Sequence, residues 1–131
     1  MAKTILIADD EPGVVKILGM RLRANGFQII TAQDGAAAIK LVHQEKPDLI
    51  ILDIKMPGRD GYAVFEDLKA SADTMSIPVM FFSALPPEQA QEKAVQLGAD
   101  GFISKSADPD KILIKITEIL DQLETQPVKQ K

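Results

Sequence analysis

Five short apolar runs, separated by segments with helical spacing, constrain the fold of this 131-residue chain more than any other feature. The runs are Ile5–Ala8, Phe27–Thr31, Leu49–Leu52, Pro78–Phe82 and Phe102–Ile103. They are continuous rather than alternating, which is typical of strands buried on both faces of a parallel sheet. The intervals between them leave room for one helix each.

The intervening segments carry apolar residues at helical intervals. The clearest pattern lies in Asp108–Glu124, where the apolar face consists of Ile112, Leu113, Ile116, Ile119, Leu120 and Leu123. This repeated alternation predicts an α/β fold of the (βα)5 type, a doubly wound five-stranded parallel sheet with helices on both faces. The strand order 2-1-3-4-5 is one of the two common solutions. We expect one domain over residues 1–124 and a polar tail or linker over residues 125–131.

Composition excludes several classes of function. The chain has no cysteine, so disulfides, thiolate nucleophiles and cysteine-ligated zinc are excluded, and the single His43 excludes a two-histidine site. The net charge of −4 argues against direct binding of nucleic acid. No apolar run approaches the roughly 20 residues that span a bilayer, and the N-terminus lacks the layout of a signal peptide. We therefore expect a cytoplasmic protein without membrane insertion.

Reactive side chains follow four of the predicted strands. In chain order they are Asp9, Asp10 and Glu11, then Asp53, then Ser83, and finally Lys105. In the order 2-1-3-4-5 these four strands are adjacent, and ligands of such sheets bind beyond the carboxyl ends of the strands. Clustered carboxylates repel one another unless a cation neutralises them, and Mg²⁺ is usually held by one or two carboxylates with water and phosphate.

Each of these residues also has a structural alternative when it is considered alone. The acidic segment before Pro12 could cap the first helix, because acids favour helix N-termini. Asp53 and Ser83 could be turn residues, and Lys105 a solvated surface lysine. The convergence of these residues on one rim of the sheet is what favours a functional site.

In the types and positions of these residues, the chain resembles the receiver domains of bacterial response regulators, the CheY-like proteins of two-component signalling. The resemblance covers about residues 3–124. The matching features are the pair Asp9-Asp10, Asp53 within the segment LDIKMPGRDG, Ser83-Ala84, and the segment GADGFISK that ends at Lys105. The resemblance implies a flavodoxin-like fold and a phosphoacceptor switch rather than an enzyme that acts on an external substrate.

The resemblance implies that Asp53 accepts a phosphoryl group from a phosphohistidine. The donor would be a sensor histidine kinase or a histidine phosphotransfer protein. The implied cofactor is Mg²⁺, with Mn²⁺ as an alternative. Its implied ligands are Asp10, Asp53 and the backbone carbonyl of Lys55, with Asp9 acting through a water molecule.

The remaining implied roles concern the phosphoryl group and the switch. Lys105 and Ser83 would bind phosphoryl oxygens. Ser83 would move inward on phosphorylation, and Phe102 would turn into the space that Ser83 leaves; the alternative for Phe102 is an ordinary core residue. The surface of the fourth helix, fifth strand and fifth helix would then control a downstream protein target.

Two questions stay open at this stage. Ser106 stands where the family usually has a proline that follows a cis bond, so the Lys105–Ser106 bond is cis or trans. The chain is either a stand-alone receiver, which we favour, or the N-terminal receiver of a longer response regulator. A receiver-like module that binds without phosphorylation is a further alternative. The acidic first loop argues against a flavin-nucleotide binder, and the missing Asp-x-Asp pattern argues against a haloacid dehalogenase-type phosphatase.

Overall fold

A computed structural model describes residues 2–125 as an alternating series of five strands and five helices. The strands are β1 (Thr4–Ala8), β2 (Gln28–Ala32), β3 (Leu49–Asp53), β4 (Val79–Ser83) and β5 (Gly101–Ser104). The helices are α1 (Pro12–Ala24), α2 (Gly35–Glu45), α3 (Gly61–Lys69), α4 (Pro87–Leu97) and α5 (Pro109–Thr125). The predicted strands are confirmed with boundaries that differ by no more than one residue at either end.

The strands form one parallel sheet in the order β2-β1-β3-β4-β5, so the predicted fold class is confirmed. The predicted last helix is displaced by one residue at each end. The predicted tail over residues 125–131 is placed only in part: Thr125 is the final residue of α5, and the rest lies outside the described residues.

The sheet is covered on both faces, which explains why its strands are apolar without alternation. On one face Leu6, Ile50 and Phe81 pack against α2, α3 and α4. On the other face Ile7 and Ile51 pack against α1 and α5. These five side chains are fully buried, and burial of each contributes roughly 1.5–3 kcal/mol.

The loops that begin the helices differ in how they are capped. Asp34 and Asp60 each accept a hydrogen bond from a backbone N–H in the first turn of α2 and α3. Helix α1 instead begins with Pro12 after Glu11, whose side chain makes no capping hydrogen bond. Within residues 2–125, no helix is long and apolar enough to cross a membrane.

Candidate functional site

A pocket of about 440 Å³ opens at the carboxyl ends of β1, β3, β4 and β5. Its lining contains five of the residues singled out in the sequence, namely Asp10, Asp53, Lys55, Ser83 and Lys105, together with Glu11, Ala84, Leu85 and Pro86. Asp9 is buried against Lys105 beside this pocket. The parallel register accounts for the convergence, since Asp53 lies opposite Phe82, and Ser83 opposite Ser104.

Asp9, Asp10 and Asp53 form a cluster of carboxylates. Each offers an oxygen that lies within 4.8 Å of an oxygen of the other two. Oδ1 of Asp9 accepts a hydrogen bond from the backbone N–H of Glu11 at 2.9 Å. Oδ2 of Asp9 is buried and pairs with the Nζ of Lys105 at 2.9 Å. Glu11, the residue that precedes α1, makes no side-chain capping hydrogen bond, so the structure does not support the capping alternative for Glu11.

The donor set fits a hard divalent cation. Mg²⁺ prefers carboxylate and carbonyl oxygens, and a cation would compensate the repulsion among the three carboxylates of the cluster. Asp10 is the exposed member of the three, whereas Asp9 and Asp53 are buried. The exposed face of the cluster is therefore the side from which an ion and its water ligands have access.

Lys105 supplies the positive charge that faces this cluster. Its Nζ lies 2.9 Å from Oδ2 of Asp9, 3.2 Å from Oδ2 of Asp53 and 2.5 Å from Oε1 of Glu11. Burial alone lowers the pKa of Lys105, but the hydrogen bonds with Glu11 and Asp9 and the charges of Asp53 and Asp9 outweigh burial and raise it. The ammonium therefore remains charged at neutral pH and is not the solvated surface lysine of the structural alternative.

Asp53 is held in place from two sides. The backbone N–H of Lys55 faces its carboxylate and lowers its pKa, and Lys105 donates a hydrogen bond to its Oδ2. Burial, followed by the negative charge of Asp9, raises the pKa of Asp53 from 3.8 to about 6 against the lowering effect of Lys105. A cation in the cluster would favour the ionised form of Asp53, because an opposite charge at this distance lowers a carboxyl pKa.

Ser83 is buried at the end of β4, with its side chain in the same pocket as Asp53. Its Oγ accepts a hydrogen bond from the backbone N–H of Leu85 at 3.0 Å. A hydroxyl that accepts this bond still has its own proton to donate. Ser83 can therefore donate to an acceptor that enters the pocket without losing its place in the β4–α4 turn.

Phe102 lies on β5, two positions before the end of the strand and opposite Phe81. It is partly buried and packs against the core cluster on the α2–α3–α4 face. It also lines a surface cavity of about 200 Å³ with Ala94 and Val95 of α4 and Lys115 of α5. The structure thus places Phe102 between core and surface, and its role as a switch stays a prediction.

The bond left open in the sequence is trans. All peptide bonds within residues 2–125 are trans, including Lys105–Ser106. The turn after β5 is held by the side chain of Ser104, whose Oγ accepts from the backbone N–H of Ser106 and contacts its hydroxyl. Lys105 reaches Asp53 from this trans loop, so the contact between the two side chains does not require the usual proline.

Two features of the site were missed in the sequence. Glu11 was treated as one of three adjacent acids, but its carboxylate makes the shortest of the three contacts to Lys105. Gly61 is the last residue of the segment LDIKMPGRDG, and its close approach to β3 was not predicted. A Cβ at Gly61 would lie 2.3 Å from the carbonyl oxygen of Asp53. The Asp-Gly pair that begins α3 was the available signal, because a helix start close to a strand end favours glycine.

Comparison with known proteins agrees with this geometry. The sequence pattern of the response regulator receiver domain matches residues 5–117. The chain belongs to the response regulator receiver domain family. Among solved structures, a putative response regulator from Chloroflexus aurantiacus superposes with a TM-score of 0.88 at 26% sequence identity, over 92% of this chain and 99% of that one.

The receiver is also similar to parts of longer proteins. It is 38% identical over 116 residues to the probable transcriptional regulator ycf27 of Guillardia theta, covering 88% of this chain and 44% of that protein. It is 35% identical over 124 residues to the alkaline phosphatase synthesis transcriptional regulatory protein PhoP of Bacillus subtilis, covering 95% of this chain and 51% of that protein. The chain thus spans about half the length of these curated relatives.

Proposed function

We propose that this receiver is a phosphoacceptor switch in which Asp53 takes a phosphoryl group from a phosphohistidine of a histidine kinase or a histidine phosphotransfer protein. The observation that carries the proposal is the contact between Asp53 and Lys105, 3.2 Å long, in a pocket that is also lined by Asp10 and Ser83. An acceptor carboxylate, a cation site, an ammonium and a hydroxyl donor are the groups that phosphoryl transfer requires.

In the proposed reaction a carboxylate oxygen of Asp53 forms a bond to phosphorus. The bond between phosphorus and the imidazole nitrogen of the donor breaks, and the imidazole leaves with that electron pair and takes up a proton. Lys105 and the hydroxyl of Ser83 orient and neutralise the phosphoryl oxygens. Asp10 and Asp53, the carbonyl of Lys55, and Asp9 through water would hold Mg²⁺. That ion supplies further neutralisation of the charge on the transferring group.

The chain assists its own phosphorylation and dephosphorylation in this proposal but turns over no external substrate. The added group brings negative charge and three acceptor oxygens to the pocket. Ser83 and Phe102 would respond, and the surface formed by α4, β5 and α5 would pass the change to a protein partner. The contact between Phe102 and α4 around the surface cavity supports this route.

The first experiment is intact-protein mass spectrometry after incubation with acetyl phosphate, with and without Mg²⁺. We expect a Mg²⁺-dependent gain of one acid-labile phosphoryl group, which is lost in Asp53→Asn. Asp60→Asn is the matched control, because it lies in the same β3–α3 segment and asparagine also caps helices well. Labelling that persists in Asp53→Asn, or no labelling from acetyl phosphate and from a histidine-phosphorylated donor, would contradict the proposal.

The curated relatives favour control of transcription as the output of this receiver over a stand-alone role. Two of them are named as transcriptional regulators and are about twice as long as this chain. We therefore propose that this receiver controls transcription through an attached or separate output partner.

The proposed output surface is tested by amide hydrogen exchange with and without beryllofluoride, an analogue of the phosphoryl group. Altered protection concentrated in α4, β5 and α5 would support this output surface, and altered protection confined to the pocket loops would contradict it.

A further inference from the structure

Lys105 has more partners than the proposed reaction uses. Its ammonium has three donors, and three carboxylate oxygens lie within 3.2 Å of it, from Asp9, Glu11 and Asp53. The side chain of Lys105 is only 11% exposed, so water has little access to it. A phosphoryl oxygen that enters the pocket must therefore displace one of the three partners or fit beside them.

The three partners differ in how readily they can leave. The side chains of Asp9 and Asp53 are 0% and 4% exposed, and both belong to the carboxylate cluster. The side chain of Glu11 is 57% exposed, and it makes no capping bond to α1. Glu11 can exchange Lys105 for water, whereas the two buried aspartates cannot. Glu11 is therefore the partner that a phosphoryl oxygen would displace from Lys105 first.

We propose that Glu11 is a positioning residue that holds the Lys105 ammonium in the unphosphorylated protein and competes with the phosphoryl group for it. This inference rests on the proposed function. By linkage, a contact present before phosphorylation and lost after it disfavours the phosphorylated state. Removing the Glu11 contact should therefore favour that state, by about two- to fivefold, which is the range of a partly exposed ion pair.

The experiment compares Glu11→Gln and Glu11→Asp with the wild type in two measurements. The first is the affinity of the Mg²⁺-loaded protein for beryllofluoride, a phosphoryl analogue, measured by calorimetry. The second is the position of the Lys105 Cε–H signal in the metal-free protein, measured by NMR. Glu88→Gln is the control, because it removes an exposed carboxylate from the first turn of α4 and leaves the contacts of Lys105 intact. Urea denaturation verifies that each variant folds.

Both Glu11 variants should bind beryllofluoride about two- to fivefold more tightly and shift the Lys105 signal, while Glu88→Gln should change neither. Aspartate keeps the charge of glutamate but is shorter by one methylene, so it tests contact against charge. Tighter binding in Glu11→Gln alone would show that the charge acts at a distance and would overturn the inference. Unchanged or weaker binding in both variants would also overturn it while leaving the proposed function intact. If the wild type binds no beryllofluoride and gains no phosphoryl group, the proposed function and this inference are both wrong.

Discussion

The close contact between Gly61 and the end of β3, where Asp53 lies, leads to a specific prediction for Gly61→Ala. The new Cβ would lie 2.3 Å from the carbonyl oxygen of Asp53 and 2.8 Å from the Cα of Ile54. Ordinary contacts between such atoms are about 3.5 Å long, so the start of α3 and the end of β3 have to separate by roughly 1 Å. Both clashing atoms belong to the backbone, and no side-chain rotation can relieve them.

The separation has two expected consequences. The free energy of unfolding should fall by about 1–3 kcal/mol, which is typical of overpacking in a tightly packed region. The rate of phosphorylation by acetyl phosphate should fall by up to about 10²-fold, because misplacement of a reacting group by 1 Å can cost that much. The separation also strains the hydrogen bond of 2.6 Å from the Gly61 N–H to the Ile54 carbonyl, which joins the two segments.

Urea denaturation measures the stability, and intact mass against time measures the phosphorylation rate at saturating Mg²⁺. Gly13→Ala is the matched control, since nothing lies within 4 Å of a Cβ at that helical position and its φ is not positive. We expect Gly13→Ala to phosphorylate at the wild-type rate. A Gly61→Ala protein with wild-type stability and rate would refute the argument, because it would mean that the loop absorbs the Cβ without moving Asp53.

Two further predictions concern parts of the fold that are remote from the pocket. Lys69 is partly buried, and its ammonium donates hydrogen bonds to two backbone carbonyls of the α3–β4 segment at 2.9 Å. Lys69→Met should therefore lower the free energy of unfolding by about 1–3 kcal/mol, measured by urea denaturation. Lys40→Met is the control, because Lys40 lies on the exposed face of α2 and its replacement should leave the free energy of unfolding unchanged. The hydrogen bond from the Ser71 hydroxyl, followed by that from His43, holds the pKa of Asp73 below its usual range. Ionised Asp73 therefore stabilises the fold above its unfolded pKa of about 3.9 and loses this contribution as the pH falls towards its folded pKa. The stability difference between the wild type and Asp73→Asn should be present at pH 6 and shrink below pH 4, and a difference that grows with acid would contradict this.

The sequence was sufficient to place the main groups of the site, because topology decides where strand ends meet. Once the strand order is known, Asp53, Ser83 and Lys105 must lie on neighbouring strand ends. The continuous apolar runs identified those ends to within one residue. No knowledge of side-chain conformation was needed for this step.

The parts that were missed depend on local geometry rather than on topology. The contact of Glu11 with Lys105 joins residues that are 94 positions apart and depends on two flexible side chains. Whether a Cβ fits at Gly61 depends on the path of the β3–α3 loop, which apolar periodicity does not encode. The trans bond before Ser106 depends on the same kind of detail, because the turn is held by the hydroxyl of Ser104.

The difference in packing between α4 and α5 favours α4 as the helix through which the proposed switch would transmit a charge change in the pocket. Among the described side chains, α4 buries Ala90 and Ala94, whereas α5 buries Ile112, Ile116, Ile119 and Leu120. A buried methyl group contributes roughly 0.8 kcal/mol, and a fully buried isoleucine or leucine roughly 1.5–3 kcal/mol. Shifting α4 therefore disturbs far less apolar contact than shifting α5. Because α4 also follows the strand that ends in Ser83, the more weakly packed of these two helices is attached to the pocket in which the proposed phosphoryl group would bind.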